Sequence, residues 1–371
     1  MKKYAWYFPN WHVTELNEKW HGKGWTEWEC VKYATPRFEG HVQPKVPLWG
    51  YEDESDPVVF EKKIKTALDY GIDGFIFDFY WFSCGPYRRD CLDKGFLGAP
   101  NNEDCEFSIM WANHDPVYVH PAPYMHTAPE LLSGIVDKEL FKEVTQFCID
   151  NYFWRKNYQR VDGKIFYGVW DVIRMVKEFG SLEECAKVFE DFRERARKAG
   201  HELFLAAANK NLFPGFKEKD KELFEKTVDA LGIEMVMTYS WPNIYPKDGW
   251  PAIEYAEARE EYFKTVPEDV EFSKVPFCIA ASTGWDSSPR TVQSDKYEDS
   301  GYPYLPIQVN NTPEEVEKTF RMCKEWIESG KVTGNILTIS TWNEWTEGNY
   351  MEPDEQYGYG FLEAFKRVFS E

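Results

Sequence analysis

The 371-residue chain carries 63 acidic against 43 basic residues, a formal net charge of −20, with 43% hydrophobic and 29% charged residues. That balance describes a globular chain with a sizeable core and excludes an intrinsically disordered one. Its negative field repels polyphosphates and anionic membrane surfaces, so nucleic acid is not an expected partner and a neutral or cationic ligand fits better.

The first predicted element is a strand over residues 4–8, reached directly from Met1-Lys2-Lys3 with no leader peptide in view. Short apolar, aromatic or β-branched runs then recur at 74–80, 107–111, 165–170, 203–208, 233–239, 276–281 and 336–342, which makes eight strands. Helical periodicity fills the intervals at 58–70, 138–152, 182–199, 220–231, 253–265 and 313–328, and a last helix is expected at 361–369. Ser181 before Leu182, and Thr312-Pro313-Glu314-Glu315, supply a cap and first-turn acids at two of the starts. Strands alternating with helices predict an α/β fold with a parallel sheet, and eight of them argue for a single (β/α)8 TIM barrel over 1–371. A doubly wound open sheet is the alternative, but no glycine-rich phosphate loop follows the first strand. Long βα loops are expected after strands 1 and 3, over 12–56 and 112–137, on the barrel face where active sites sit.

No run reaches the roughly 18 consecutive apolar residues a membrane span needs, so no membrane insertion is expected. Eight Cys occur without a C-x-x-C pair, and Cys148, Cys185, Cys278 and Cys323 fall inside predicted elements. A reducing, cytoplasmic compartment is the expectation. The His residues form no metal signature, so neither a metal nor an organic cofactor is expected. Oligomeric state is not readable from the chain.

Polar and aromatic residues gather at the predicted C-terminal ends of the strands: Asp78 and Tyr80, Trp111 and Asn113, Trp170 and Asp171, Asn209, Tyr239, Trp285 and Asp286, and Asn343 with Glu344 and Glu347. A barrel aims such residues into one cup. For Asp171, ahead of Val172, capping of a following helix is the simpler reading. Glu344 and Glu347 are the sharpest pair, because cleavage of a glycosidic bond needs a proton donor and a base or nucleophile, and two carboxyls with separated pKa values divide that labour. In a helical turn, positions i and i+3 share a side. The alternative is that Glu347 is a loop acid and only Glu344 points inward. In the first insertion, Trp25 and Trp28 beside Gly22 and Gly24 offer a stacking platform for a sugar or serve to pin the loop, and His41 and His114 suit hydroxyl groups.

Taken together, Tyr7-Phe8-Pro9-Asn10-Trp11-His12, Gly22-Lys23-Gly24-Trp25-Thr26-Glu27-Trp28, Gly71-Ile72-Asp73-Gly74-Phe75, Trp111-Ala112-Asn113 and Asn343-Glu344-Trp345-Thr346-Glu347-Gly348 resemble the WbsX-like branch of the glycoside hydrolase family 99-like domains. The resemblance runs from the first predicted strand to the last helix. It implies a (β/α)8 barrel acting on oligo- or polysaccharide, retaining at the anomeric carbon and cleaving an α-linked glycan such as a mannoside. By the same resemblance Glu344 is the base that deprotonates the sugar's 2-hydroxyl, Glu347 the acid that protonates the leaving oxygen, and a 1,2-anhydro sugar the intermediate. Tyr239 is expected to position the donor sugar, with Trp25, Trp28, His41, Asp78, Tyr80, Trp111, Asn113, Asn209, Trp285 and Asn343 binding substrate. His114-Asp115-Pro116 departs from the Glu-Asn-Trp and basic residues that related sequences carry after the Trp111 motif. A glycosyltransferase of polysaccharide assembly and a non-catalytic carbohydrate-binding barrel are the rival readings. The hydrolase reading expects Glu344 and Glu347 to converge on one water-accessible hollow, and a salt link burying either of them counts against it.

Overall fold

The protein was analysed as a computed structural model, which describes residues 1–125, 129–208, 218–241 and 249–370. Eight parallel strands form its centre: β1 (Lys2–Tyr7), β2 (Gly74–Phe82), β3 (Glu106–Trp111), β4 (Lys164–Val169), β5 (Leu203–Ala208), β6 (Met235–Met237), β7 (Phe277–Cys278 continuing at Ala280–Ser282) and β8 (Ile336–Ser340). Each pairs with its sequence neighbours, and β1 also pairs with β8. β7 closes the ring: Phe277 and Cys278 pair with Val236 and Met237 of β6, while Ala280 to Ser282 pair with Thr338 to Ser340 of β8. All eight predicted strands are present, and the barrel is the expected (β/α)8 fold.

Alternation along the strands sorts the core into two layers, because successive side chains leave a strand on opposite faces. Tyr4 and Trp6, Ile76, Met110, Phe166, Phe204, Met235 and Ile336 pack together inside the ring. Their sequence neighbours, such as Tyr7, Phe77, Ile109, Trp111, Tyr167 and Ile339, pack outward against the helices. Each large apolar side chain so buried contributes roughly 1.5–3 kcal/mol relative to exposure. A Cβ at Gly168 would stand 2.7 Å from the Met110 sulfur inside the ring, so a larger residue there would displace that side chain.

The outer layer contains α1 (Pro57–Asp69), α2 (Lys138–Cys148), α3 (Leu182–Lys198), α4 (Glu218–Leu231), α5 (Tyr255–Ser273), α6 (Pro313–Glu328) and α7 (Gly360–Phe369). Ser181 and Thr312 accept hydrogen bonds from the amides of Glu184 and Glu315, as a cap should. Two boundaries differ from expectation. The predicted 138–152 helix changes after Cys148 into a wider turn, Ile149–Phe153. Conversely, α5 runs past the expected end at 265 and through Pro267, because burial of Val266 and Phe272 further along offsets the one hydrogen bond a proline removes. A short helix, Val172–Glu178, follows β4, and Asp171 caps it through the Arg174 amide at 2.8 Å, as the capping reading of Asp171 expects. Beyond the two expected long loops, a third, residues 283–312, follows β7 and reaches over the same face.

Candidate active site

After β8 the chain turns back on itself. Asn343–Glu344 pairs with Asn349–Tyr350, and the single 3-10 turn between them, Trp345–Glu347, ends at Gly348 with φ 61°. A Cβ on Gly348 would lie 2.6 Å from the Asp286 Cβ, so glycine answers both the left-handed backbone and the close approach. Glu344 opens this turn and Glu347 closes it, and with three residues per turn their side chains share a side.

The residues flanking Glu344 are anchored from below. Asn343 exchanges hydrogen bonds with the backbone of Phe8 at 2.8 Å each way and donates to Glu54 at 2.9 Å. Trp345 donates its indole N–H to Glu352 at 2.8 Å. Lys63, fully enclosed, pairs with Glu54 at 2.6 Å and Glu352 at 2.7 Å, and Tyr7 adds its hydroxyl to Glu54. One ammonium thus stands between two buried carboxyls, and burial moves Glu54 up to about 7 despite Lys63.

Above this anchor lies Arg290, from a 3-10 turn in the loop after β7. Its Nη2 donates to Glu344 Oε1 at 3.1 Å and lies 3.0 Å from Glu27 Oε1, and its Nη1 donates to Glu347 Oε1 and to the Tyr302 hydroxyl. Glu344 and Glu347 do converge on one point, but the point is a cation, and both carboxyls are largely covered, at 4% and 6% exposure. The expectation of an open hollow is corrected accordingly: the two acids sit in a salt link because the guanidinium fork reaches both from the third loop.

Three carboxyls surround this guanidinium, and one positive charge cannot neutralise all three. Glu27 keeps its negative charge, since burial is outweighed by His120, whose Nε2 is 3.1 Å away, and by Arg290. Asn10 and Thr346 add donors to Glu27 at 2.5 Å. Burial raises Glu344, opposed by Arg290 and by the Tyr239 hydroxyl, which donates to Glu344 Oε2. Burial raises Glu347 as well, and the charge of Glu344 drives it further, well above the ordinary range. The outcome is a carboxyl that holds its proton beside one with more reason to be ionised, a proton donor and acceptor on one turn.

Asp78 and Tyr80 are in phase with Ile76 and so face into the cup. Asp78 lies 3.3 Å from the Tyr239 hydroxyl, its other oxygen has no partner, and burial with the nearby Glu344 charge pushes its carboxyl well above the ordinary range. The Tyr239 ring meets Trp170 edge-on at 5.3 Å and Trp6 at 5.2 Å, which fixes its hydroxyl between Asp78 and Glu344.

Other expected residues lie elsewhere. Trp111 is in phase with Ile109, faces the helices, stacks on Phe141 and has no exposed surface, which removes it from the cup. Trp28 packs on Trp11 at 4.1 Å and donates to the Glu52 carbonyl, so it pins its loop. Asn113 bridges to the Asp171 backbone by donating and accepting, and Asn343 serves as the anchor described above. Trp25 is partly exposed at the rim, stacked on His21 at 4.0 Å. His41 meets Asp286 at 2.8 Å beside Trp285, in a side cleft of about 100 Å³ behind the Glu347 loop. Asn209 lies outside the described residues.

Glu27, Arg290 and Tyr302 were not singled out from sequence as site residues. Glu27 stood inside the quoted Trp25-Thr26-Glu27-Trp28 motif, and an acid between two tryptophans was the available signal. Arg290 and Tyr302 belong to a loop whose length after β7 was the only hint.

A family model described as Glycosyltransferase WbsX matches residues 3–365. A protein of Xanthomonas campestris pv. campestris strain ATCC 33913, described as uncharacterized protein WxcX, is 25% identical over 387 aligned residues, covering 99% of this chain and 49% of WxcX. The chain therefore spans about half the length of the curated relatives it matches. Among solved structures, the GH99 endo-α-mannosidase of Bacteroides thetaiotaomicron superposes with a TM-score of 0.57 at 13% identity, over 100% of this chain and 98% of that one. The structure described as the GH99 endo-α-mannosidase in complex with BIS-TRIS-propane gives 0.60 at 12% identity, over 99% and 96%. A structure described as a glycoside hydrolase-like protein gives 0.59 at 17% identity, over 99% and 93%. These likenesses bear out the barrel and the resemblance to a WbsX-like, GH99-like domain.

Proposed function

From the premise that this chain belongs to the family described as Glycosyltransferase WbsX, we propose that it is a retaining glycoside hydrolase acting on an α-linked glycan. The observation that carries this reading is the placement of Glu344 and Glu347 on one turn at the barrel mouth, both reached by Arg290, with Tyr239 bonded to Glu344 and not to Glu347.

In the first step Glu344 takes the proton of the sugar's 2-hydroxyl and O2 attacks C1. The C1–aglycone bond breaks, and the departing oxygen takes the proton of Glu347. In the second step the Glu347 carboxylate takes a proton from water, whose oxygen bonds to C1 as the C1–O2 bond opens. O2 recovers its proton from Glu344. Two inversions at C1 leave the configuration unchanged, and each carboxyl ends as it began. Backside attack requires O2 and the leaving group to be trans across the C1–C2 bond, which an α-mannoside satisfies. The fold neighbours are described as endo-α-mannosidases, so α-mannosides are the first substrates to test.

The family's description favours a second reading, transfer of a sugar to a carbohydrate acceptor. Incubation of the protein with defined α-linked glycans, with and without nucleotide sugars, separates the two. New reducing ends formed without a donor support hydrolysis, whereas elongated products that depend on the donor support transfer. A barrel that binds these glycans tightly and turns none over would be a binding protein.

A further inference from the structure

Two guanidiniums approach the ring of Phe8, Arg290 at 5.4 Å and Arg88 at 5.0 Å. Their surroundings differ. Arg290 is met by three carboxyl groups, whereas Arg88 forms no ion pair among the described residues of a chain with 63 acids. Arg88 instead lies over Tyr80 at 4.8 Å and Tyr87 at 4.5 Å as well as Phe8, and its buried Nε has no hydrogen-bond partner. Rings hold a guanidinium by its faces and leave its edge donors in the plane between them.

The backbone argues for the same conclusion. Arg88 follows the short strand Gly85–Tyr87, which doubles back on the end of β2, and it takes φ 59°, a left-handed conformation that a residue with a long side chain rarely adopts. The fold holds that strained turn, and the turn brings the side chain beside Asp78 and Tyr80, where the three line a small hollow at the end of β2. Burial pushes the Asp78 carboxyl well above its ordinary range, and the carboxylate whose field reaches Arg88, Glu27, makes no ion pair with it.

We propose that Arg88 receives an oxyanion carried by the substrate, so that the sugar seated in the cup bears a carboxylate or an esterified acid. The inference rests on the reading of the cup as a sugar site and adds the class of sugar. A planar guanidinium whose Nε has no partner suits a uronate carboxylate, or a sulfate or phosphate ester, which engages such a fork through two parallel hydrogen bonds. The net charge of the chain does not oppose this, because at physiological salt its field is screened within about 8 Å and the charges nearest the ligand decide.

The test is binding to the whole protein, read by ligand-observed NMR titration, of methyl α-mannoside, its uronate and its 6-sulfate, with the corresponding gluco and galacto sets. The expected result is that an anionic member binds at least about tenfold more tightly than its neutral counterpart, and that Arg88→Met brings this ratio to about one whatever it does to the affinity for the neutral member. A preference for the uronate names a carboxylate, and one for the 6-sulfate names an ester. Equal affinity of charged and neutral members, or no detectable binding of the anions to the unmodified protein, overturns the proposal. Because binding needs no turnover, failure of the hydrolase reading leaves this result interpretable, and the comparison within the unmodified protein stands even if the variant does not fold.

Discussion

Glu344 and Glu347 share one cation: Arg290 gives Nη2 to the first and Nη1 to the second. Two carboxyls held on the same fork are fixed in spacing before any ligand arrives, and each feels the protonation of the other through it.

Arg290 should therefore set the pH dependence of turnover. Its charge lowers both carboxyls, so Arg290→Gln raises both further. With the proposed roles, the acidic limb of kcat/KM, set by ionisation of Glu344, moves to higher pH, and so does the basic limb, set by loss of the proton from Glu347. Arg290→Lys keeps a charge and moves both limbs less. A pH–rate profile from 4 to 10 checks the direction.

Of the two glutamates, Tyr239 bonds only Glu344. Its hydroxyl stabilises ionised Glu344, so Tyr239→Phe should shift the acidic limb upward. The loss of one hydrogen bond to a charged group, about 1.5–3 kcal/mol, should lower kcat/KM by roughly 10- to 150-fold if the bond is needed equally in the transition state.

Asp286 governs stability in acid. Burial opposes its charge, but His41, Gln43 and the Ser288 amide hold it at about 2. A depressed carboxyl stabilises the fold above its unfolded pKa, near 3.9, and this contribution is lost as pH falls from there through 2. Asp286→Asn should lower Tm at pH 7 and flatten the fall in Tm between pH 4 and 2, as calorimetry would record.

The Lys63 anchor lies beneath the site. Lys63→Met strands Glu54 and Glu352 without a counter-charge and should cost about 3–5 kcal/mol in urea unfolding, the usual penalty for breaking a buried pair. Residual folded protein should also turn over slowly, because Asn343 and Trp345 on either side of Glu344 hang from this network.

Much of this fold was legible in the chain because aromatic and β-branched runs recur with the period of a barrel, and the eight strands follow from them. The phase of Asp78 with Ile76 could also be read, whereas Trp111 was misplaced by assigning it by position at a strand end; its phase with Ile109 turns it to the helices. Trp25 and Trp28 show the limit from the other side, since two tryptophans in one loop have identical chemistry and only the tertiary contacts of Trp28 with Trp11 and Glu52 separate them. Arg290 was invisible because its meaning comes from three carboxyls distant in sequence, Glu27, Glu344 and Glu347, and no local pattern encodes their meeting.

The most direct test is turnover of Glu344→Gln and Glu347→Gln on an α-linked glycan that the unmodified protein cleaves, with thermal melting as the control for folding. Both variants should fall by roughly 10²–10⁴-fold or more, and Glu347→Gln alone should recover on a dinitrophenyl glycoside, whose leaving group needs no proton. Unmodified rates in either variant on the natural linkage would contradict the assignment of acid and base.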